Sequence, residues 1–277
     1  MAGGEPYRFP RPGRSLVLRI ASAAVMLPVA IAAVAYGRPW FDGLLALTAF
    51  LMAREWARMT GAGVKGATYL LAGVSLLLVL SLPFEVDGRV LLAAILGGTV
   101  LLYGLARLSG AQTPKLLAFG LPAVVLPCAA FVWLRANQEQ GVETVLWLMS
   151  VVWATDTGAF FFGRTIGGPK LAPKLSPNKT WAGLLGGMLS AGLVGAGVAA
   201  ACGGSPYILA PVAVVLAVVS QGGDLGESAL KRRFGVKDSG KIIPGHGGVL
   251  DRVDGLMPVA PLLALLILVT GRSIMEW

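Results

Sequence analysis

Long apolar runs, broken by short polar connections, dominate this chain from residue 15 to its end. A helix needs about 20 apolar residues to cross the hydrocarbon core of a bilayer. Nine segments meet or approach that length: 15–36, 39–58, 66–83, 89–106, 114–134, 142–163, 181–202, 206–223 and 256–271. The pattern predicts an all-α, polytopic integral membrane protein of about nine transmembrane helices, with a polar tail over 1–14 and a single membrane domain over 15–277. No small-residue cleavage site follows the first run, so it is expected to be a retained span and not a removed signal peptide. The seventh run, WAGLLGGMLSAGLVGAGVAAACGG, places Gly183 and Gly187 in a GxxxG pair. Small residues at that spacing let helix backbones approach closely in lipid. Packing within the chain is the expected use, a homodimer seam the alternative. No internal repeat of the kind common in transporters is present. Two polar stretches, 164–180 and 223–255, stand out against this background.

Composition agrees with the pattern. Of 277 residues, 56% are hydrophobic and 13% charged, and mean hydropathy is +0.75. Cys128 and Cys202 lie in apolar segments without metal-ligand spacing and are read as packing residues. The net charge of +9 suits anionic headgroups or anionic substrates. Nucleic acid is not an expected partner, because the cations are scattered among short connections. Their distribution also orients the chain. With nine spans and a cytoplasmic N-terminus, all of the 23 Lys and Arg except Arg38, Arg89, Arg135 and Arg272 fall inside, as the positive-inside rule requires. Both polar stretches then face the cytoplasm.

The richest chemistry is in residues 228–254, SALKRRFGVKDSGKIIPGHGGVLDRVD, with six Lys or Arg, three Asp, the only histidine and five glycines. Interleaved cations and carboxylates around a PGHGG turn suggest phosphate chemistry. Backbone N–H groups at Gly247 and Gly248 would suit an anion nest, and His246, between Gly245 and Gly247, would touch a phosphate. The run GVKDSGK imitates a P-loop, but Ile242 replaces the required Ser or Thr. Upstream, helical spacing sets Gln221, Asp224, Ser228, Lys231 and Arg232 near one face, although Gly222-Gly223 would by propensity fray the helix there. Bare carboxylates about 4 Å apart repel by about 4 kcal/mol at an effective dielectric of 20. Asp224 and Asp251 therefore imply either a bridging divalent ion, for which magnesium is the natural choice, or salt bridges to Arg232, Arg252 and their neighbours. In the other polar stretch, Asp156 lies inside the sixth span between Thr155 and Thr157, which suggests a wet or protein-lined pocket. Ser176, Asn178, Lys179 and Thr180 precede the seventh span, where a helix N-terminus favours anions. A helix cap at Ser176 or Thr180 is the plainer alternative.

From Ser228 through Lys231-Arg232, Lys237-Asp238 and Pro244-Gly245-His246-Gly247-Gly248 to Asp251-Arg252 and Asp254, the stretch resembles the signature of the phosphatidate cytidylyltransferase (CDP-diacylglycerol synthase) family. GGDLGES before it, and Asp156, Phe160-Phe161, Gly163 and Ser176-Pro177-Asn178-Lys179-Thr180, resemble further family runs. Ala182 stands where that pattern has Glu. The resemblance implies condensation of CTP with phosphatidic acid to CDP-diacylglycerol and pyrophosphate, in phospholipid biosynthesis at a bacterial inner membrane, with the site facing the cytoplasm. It implies a Mg2+ site on Asp224 and Asp251, with room for a second cation, and a homodimer is compatible with it. Lys237 joins Asp224 and Asp251 as a catalytic candidate. Phosphate contacts are assigned to Lys179, Lys231, Arg232, Lys237, His246 and Arg252, and Asp238 and Asp254 are expected to orient those cations. Substrate contacts are expected also at Asp156, Ser176, Asn178, Thr180, Ser228, Gly247 and Gly248. The alternatives are a CTP-dependent polyprenyl lipid kinase or nucleotidyltransferase and, from another class, an ion-coupled transporter.

Overall fold

The structure, a computed structural model, describes residues 12–60, 65–84, 86–136 and 139–277. The expected tail thus lies outside the described residues as far as residue 11, and the first helix begins at Pro12. Ten helices follow one another: α1 (Pro12–Tyr36), α2 (Trp40–Thr60), α3 (Lys65–Ser81), α4 (Gly88–Leu108), α5 (Pro114–Ala136), α6 (Gly141–Thr165), α7 (Trp181–Ala201), α8 (Pro206–Arg233), the single turn α9 (Leu250–Val253) and α10 (Leu256–Thr270). Each of the nine apolar segments coincides with one long helix. Six are long and apolar enough, by themselves, to cross a membrane. Among the described residues α1 and α10 offer shorter apolar stretches, and α2 carries Asp42, Arg54, Glu55 and Arg58. Among the described residues, length and composition alone thus single out six of the nine as spans.

The connections nevertheless alternate between two ends. At one end Arg135 donates from Nε to the Val34 carbonyl at 2.6 Å and Arg38 to the Pro83 carbonyl at 3.2 Å, gathering the α1–α2, α3–α4 and α5–α6 connections. At the other, Thr113 Oγ1 donates to the Thr60 carbonyl at 2.6 Å and Trp56 Nε1 to the Leu116 carbonyl at 2.7 Å, so the end of α2 meets the start of α5. Arg232 donates to the Leu175 carbonyl at 3.4 Å, which brings the two polar stretches together.

Two cores support this arrangement. One is built on Trp147, Leu148 and Val151 of α6, Ala191 and Ala199 of α7, Leu209 and Leu216 of α8 and Leu263 of α10. The other holds Met52 and Ala53 of α2, Leu71 of α3, Ile95 and Leu102 of α4, Leu117 and Leu121 of α5, and Leu250 of α9. Helix α5 joins them, since its Phe131 and Leu134 belong to the first core. The GxxxG pair serves packing within the chain: a Cβ on Gly183 would lie 2.9 Å from the Ala159 carbonyl oxygen, and one on Gly187 would lie 2.9 Å from that of Thr155. Helices α6 and α7 thus touch backbone to backbone, which fixes Asp156 relative to the start of α7.

Two expectations are corrected. The stretch 164–180 is not a plain loop, because β1 (Lys170–Ala172) and β2 (Ser176–Thr180) form an antiparallel hairpin, a small exception to an all-α fold. Nor does the chain leave helical form at Gly222-Gly223, since α8 continues unbroken to Arg233. A Cβ on Gly223 would lie 2.5 Å from the Asp254 carbonyl oxygen and 2.7 Å from Pro258. This glycine is where the segment leading into α10 crosses α8, and that tertiary contact overrides local propensity.

Candidate active site

The hairpin, the C-terminal end of α8 and the segment around α9 line a cavity of about 810 Å³, together with α6. Asp156 comes from α6. Asn178, Lys179 and Thr180 come from β2, and Asp224 and Lys231 from positions two turns apart on α8. Asp238, Asp251, Arg252 and Asp254 complete the wall. Thr180 also caps α7, accepting from the Gly183 N–H at 3.0 Å.

Two ion-paired networks organise the wall. Lys179 Nζ lies 2.7 Å from Asp224 Oδ2 and donates to Gln221 Oε1 at 2.9 Å, while Gln221 Nε2 donates to Asp156 Oδ1 at 3.3 Å. This links β2, α8 and α6. In the second network Lys231, only 12% exposed, stands between Glu227 Oε2 at 3.0 Å and Asp251 Oδ1 at 2.7 Å. Asp251 Oδ2 accepts from the Gly248 N–H at 2.8 Å and from both the N–H and the hydroxyl of Ser239 at 2.9 Å. Burial pushes the Asp251 carboxyl up, but the Lys231 bond, the Gly248 N–H and the Lys231 charge outweigh it and hold the group below the ordinary carboxylate range. Asp254 behaves oppositely: burial first, and then the Asp224 charge, push it up to about 6.

The sequence reading missed the residue that anchors this loop. Glu55 of α2, 1% exposed, accepts from the Val249 N–H at 3.0 Å, the Leu250 N–H at 2.9 Å and Ser239 Oγ at 3.2 Å. Ser239 passes the constraint to Asp251. A Cβ on Gly248 would lie 2.6 Å from Glu55 Oε2, so glycine is what lets the loop close over this carboxylate. A carboxylate within an apolar run is a functional candidate by default. That signal was present at Glu55.

Seven expected site residues do not line the cavity. Ser228 donates to Asp224 Oδ1 at 3.4 Å and so supports the wall from behind. Ser176 pairs with Ala172 in the hairpin. Arg232 donates to the carbonyls of Leu175 and Val236, holding hairpin and loop together. Lys237 is exposed and outside the lining. His246 Nδ1 lies 2.6 Å from Ser22 Oγ of α1. The His246 and Gly247 N–H groups donate to the Ile243 carbonyl, and that of Gly248 to Asp251. The N–H groups of His246, Gly247 and Gly248 are therefore spent within the loop and do not form an open nest. Gly247, at φ +88°, makes the tight turn that aims Gly248 at Asp251.

Around the cavity, five cationic side chains (Arg164, Lys170, Lys179, Lys231, Arg252) meet five carboxylates (Asp156, Asp224, Asp238, Asp251, Asp254). Lys179 and Lys231 are already paired, so a polyanion entering alone would find no net positive charge. Carboxylate oxygens are the ligands a hard divalent cation takes, and such an ion would draw on one or two of these carboxylates, because among the described residues no three His, Cys, Asp or Glu come together as a ligand group. Among the described residues Asp251 Oδ1 has one hydrogen-bond partner, and Asp224 Oδ1 has only the long Ser228 bond. Each can offer an oxygen to such an ion.

Residues 17–270 match the Cytidylyltransferase family. Over 135 residues the chain is 54% identical to a phosphatidate cytidylyltransferase of Brucella suis, a stretch covering 48% of this chain and 49% of that protein. It is 43% identical over 153 residues to one from Staphylococcus haemolyticus, covering 54% of this chain and 59% of the relative. The alignments thus span about half the length of these curated relatives.

Proposed function

The chain belongs to the cytidylyltransferase family, and from that premise we propose that it condenses CTP with phosphatidic acid, giving CDP-diacylglycerol and pyrophosphate. The observation that carries the reading is the cavity in which Lys179–Asp224 and Lys231–Asp251 face each other. It places hydrogen-bond donors for phosphates beside carboxylates at the end of a membrane helix. In this reaction an oxygen of the lipid phosphate attacks the α-phosphorus of CTP. A new P–O bond forms, the bond to the β-phosphate oxygen breaks, and pyrophosphate leaves. The second pKa of a phosphate monoester is about 6, so the lipid phosphate is largely dianionic at pH 7 and needs no strong general base. The protein's part is positioning and charge neutralisation. Lys179, Lys231 and Arg252 would bind phosphate oxygens, with Asn178 and Thr180 as neutral donors. Asp156 and Gln221 hold Lys179 in place.

Magnesium would be held by Asp224 and Asp251, where it would neutralise charge developing on the phosphates. The positive-inside rule supports an orientation with this end in the cytoplasm, the side on which CTP is found, and the bacterial inner membrane as its place. Membrane lipid surrounds the helices. Because the small-residue face of α7 is filled by α6, a homodimer would need a different seam.

The test is purified protein with radiolabelled CTP and phosphatidic acid, with and without magnesium. Labelled CDP-diacylglycerol and stoichiometric pyrophosphate are expected; CDP with a phosphorylated lipid would indicate a kinase instead. Asp224→Asn and Asp251→Asn should each abolish most turnover, and the double change should cost little more than either, because groups acting as a unit are not additive. Wild-type magnesium dependence in a well-folded single mutant would overturn the shared metal site.

A further inference from the structure

A cavity of about 1010 Å³ lies toward the end of the bundle away from the candidate active site. From Asp42 in its wall to Glu55, which clasps the Asp251 loop, α2 rises about 20 Å at about 1.5 Å per residue. Two cations stand at its outer end, Arg38 from the α1–α2 connection and Arg135 from the last turn of α5. Arg38 Nε pairs at 3.5 Å with Oδ2 of Asp42, which is buried. Arg135 donates from Nε to the Val34 carbonyl at 2.6 Å and from Nη2 to the Ala35 carbonyl at 3.3 Å. Among the described residues it forms no ion pair with a carboxylate, so the two cations face one anion. Below them the walls are apolar, with Leu91 of α4, Leu126 and Ala130 of α5 and Leu265 and Leu268 of α10. Leu265 and Leu268 are exposed at the outer surface of the bundle, so the cavity opens sideways toward lipid.

We propose that this cavity seats one anionic phospholipid of the leaflet opposite the candidate active site, its phosphate on Arg38 and Arg135 and its acyl chain along α5 and α10. Three observations carry the choice of occupant. From Arg135 to Leu126, helix α5 spans about 14 Å at about 1.5 Å per residue, close to half of a hydrocarbon core about 30 Å thick. Tyr36 and Trp40 flank Gly37 and Arg38 and are exposed, the setting of aromatic residues at a membrane–water interface, which puts the guanidinium groups at headgroup level. Finally, a phosphodiester headgroup of net charge −1 balances the excess cation, whereas a zwitterionic headgroup brings its own ammonium and leaves that charge in place. Guanidinium forks match phosphate oxygens in geometry. An acyl chain leaving bulk lipid exchanges one apolar environment for another, so the headgroup supplies the selectivity. The bound lipid would join the α1–α2, α3–α4 and α5–α6 connections that Arg38 and Arg135 already gather, and would stabilise the fold by mass action.

Thermal melting of the full chain in a nonionic detergent, titrated with dioleoyl phosphatidylglycerol or dioleoyl phosphatidylcholine, tests this. Phosphatidylglycerol should raise the melting temperature saturably and phosphatidylcholine should not. Arg135→Gln should weaken the apparent Kd for phosphatidylglycerol about tenfold or more, the scale of one lost charged hydrogen bond. Arg89→Gln removes a cation at the same end but outside the lining, and should leave that Kd unchanged. For a reading independent of any variant, wild-type protein would be photolabelled with a phosphatidylglycerol bearing a diazirine near its glycerol. Adducts should fall in peptides spanning 36–42 and 129–136. Equal responses to the two lipids, a wild-type Kd in Arg135→Gln, or adducts confined to other segments overturns the site. Cross-links between two copies through these peptides, without lipid adducts, also overturns it and gives the cavity to a second copy of the chain.

Discussion

Glu55 carries a carboxylate into the packed interior of α2, and every hydrogen bond recorded for it goes to the loop that holds Asp251. Its role is positioning, and it acts on the site through Ser239. Glu55→Gln keeps the size but turns an amide N–H2 toward a backbone N–H or the Ser239 hydroxyl. A buried donor left without an acceptor costs about 1–3 kcal/mol. The expected outcome is a lower melting temperature in detergent, with kcat falling more than KM for CTP changes, and partial rescue by Glu55→Asp. Wild-type kcat in Glu55→Gln would remove Glu55 from this role. The site was legible in the sequence wherever charge broke the apolar pattern: Asp156, Lys179, Asp224, Lys231, Asp251, Arg252 and Asp254 all line one cavity. Glu55 breaks an apolar run as well, but its backbone partners lie 194 and 195 positions away, so nothing near it in the sequence ties it to the site. Arg232, Lys237 and His246 show the converse. They sit in the densest polar run, yet two of them tie the loop to the hairpin and to α1, and Lys237 stays outside the lining.

At the scale of elements, the close approach of α6 and α7 sets the width of the cavity, with Asp156 on one helix and Lys179 just before the other. Gly187→Leu would force a side chain against the Thr155 carbonyl and should destabilise the protein by about 1–3 kcal/mol, as overpacking does. Gly197→Leu on the same helix meets nothing within 4 Å and serves as its control. Thermal melts of the two variants in one detergent check this, and equal melting temperatures would contradict it. The nine helices could be read from apolar length alone because lipid imposes that length. The hairpin could not, since five residues of β2 make no period in a polar stretch. The continuation of α8 through Gly222-Gly223 depends on α10 crossing there, a contact between distant parts of the chain.

For the whole molecule, the alternation of connections leaves one question of orientation, and the distribution of cations predicts that the end holding the candidate active site faces the cytoplasm. Ser239→Cys should resist an impermeant thiol reagent in intact cells, while a cysteine added after Trp277 should react; the opposite pattern would invert the topology. The clasp between Glu55 and the Val249–Leu250 backbone also imposes an order on biogenesis. At about 5–20 residues per second of synthesis, α2 waits about 10–40 s before its partners, 194 and 195 residues downstream, leave the ribosome. Through that interval a carboxylate in a membrane helix has none of its native partners. A nascent chain truncated before residue 239 would keep it that way permanently, with a buried carboxylate that never meets Ser239, Val249 or Leu250.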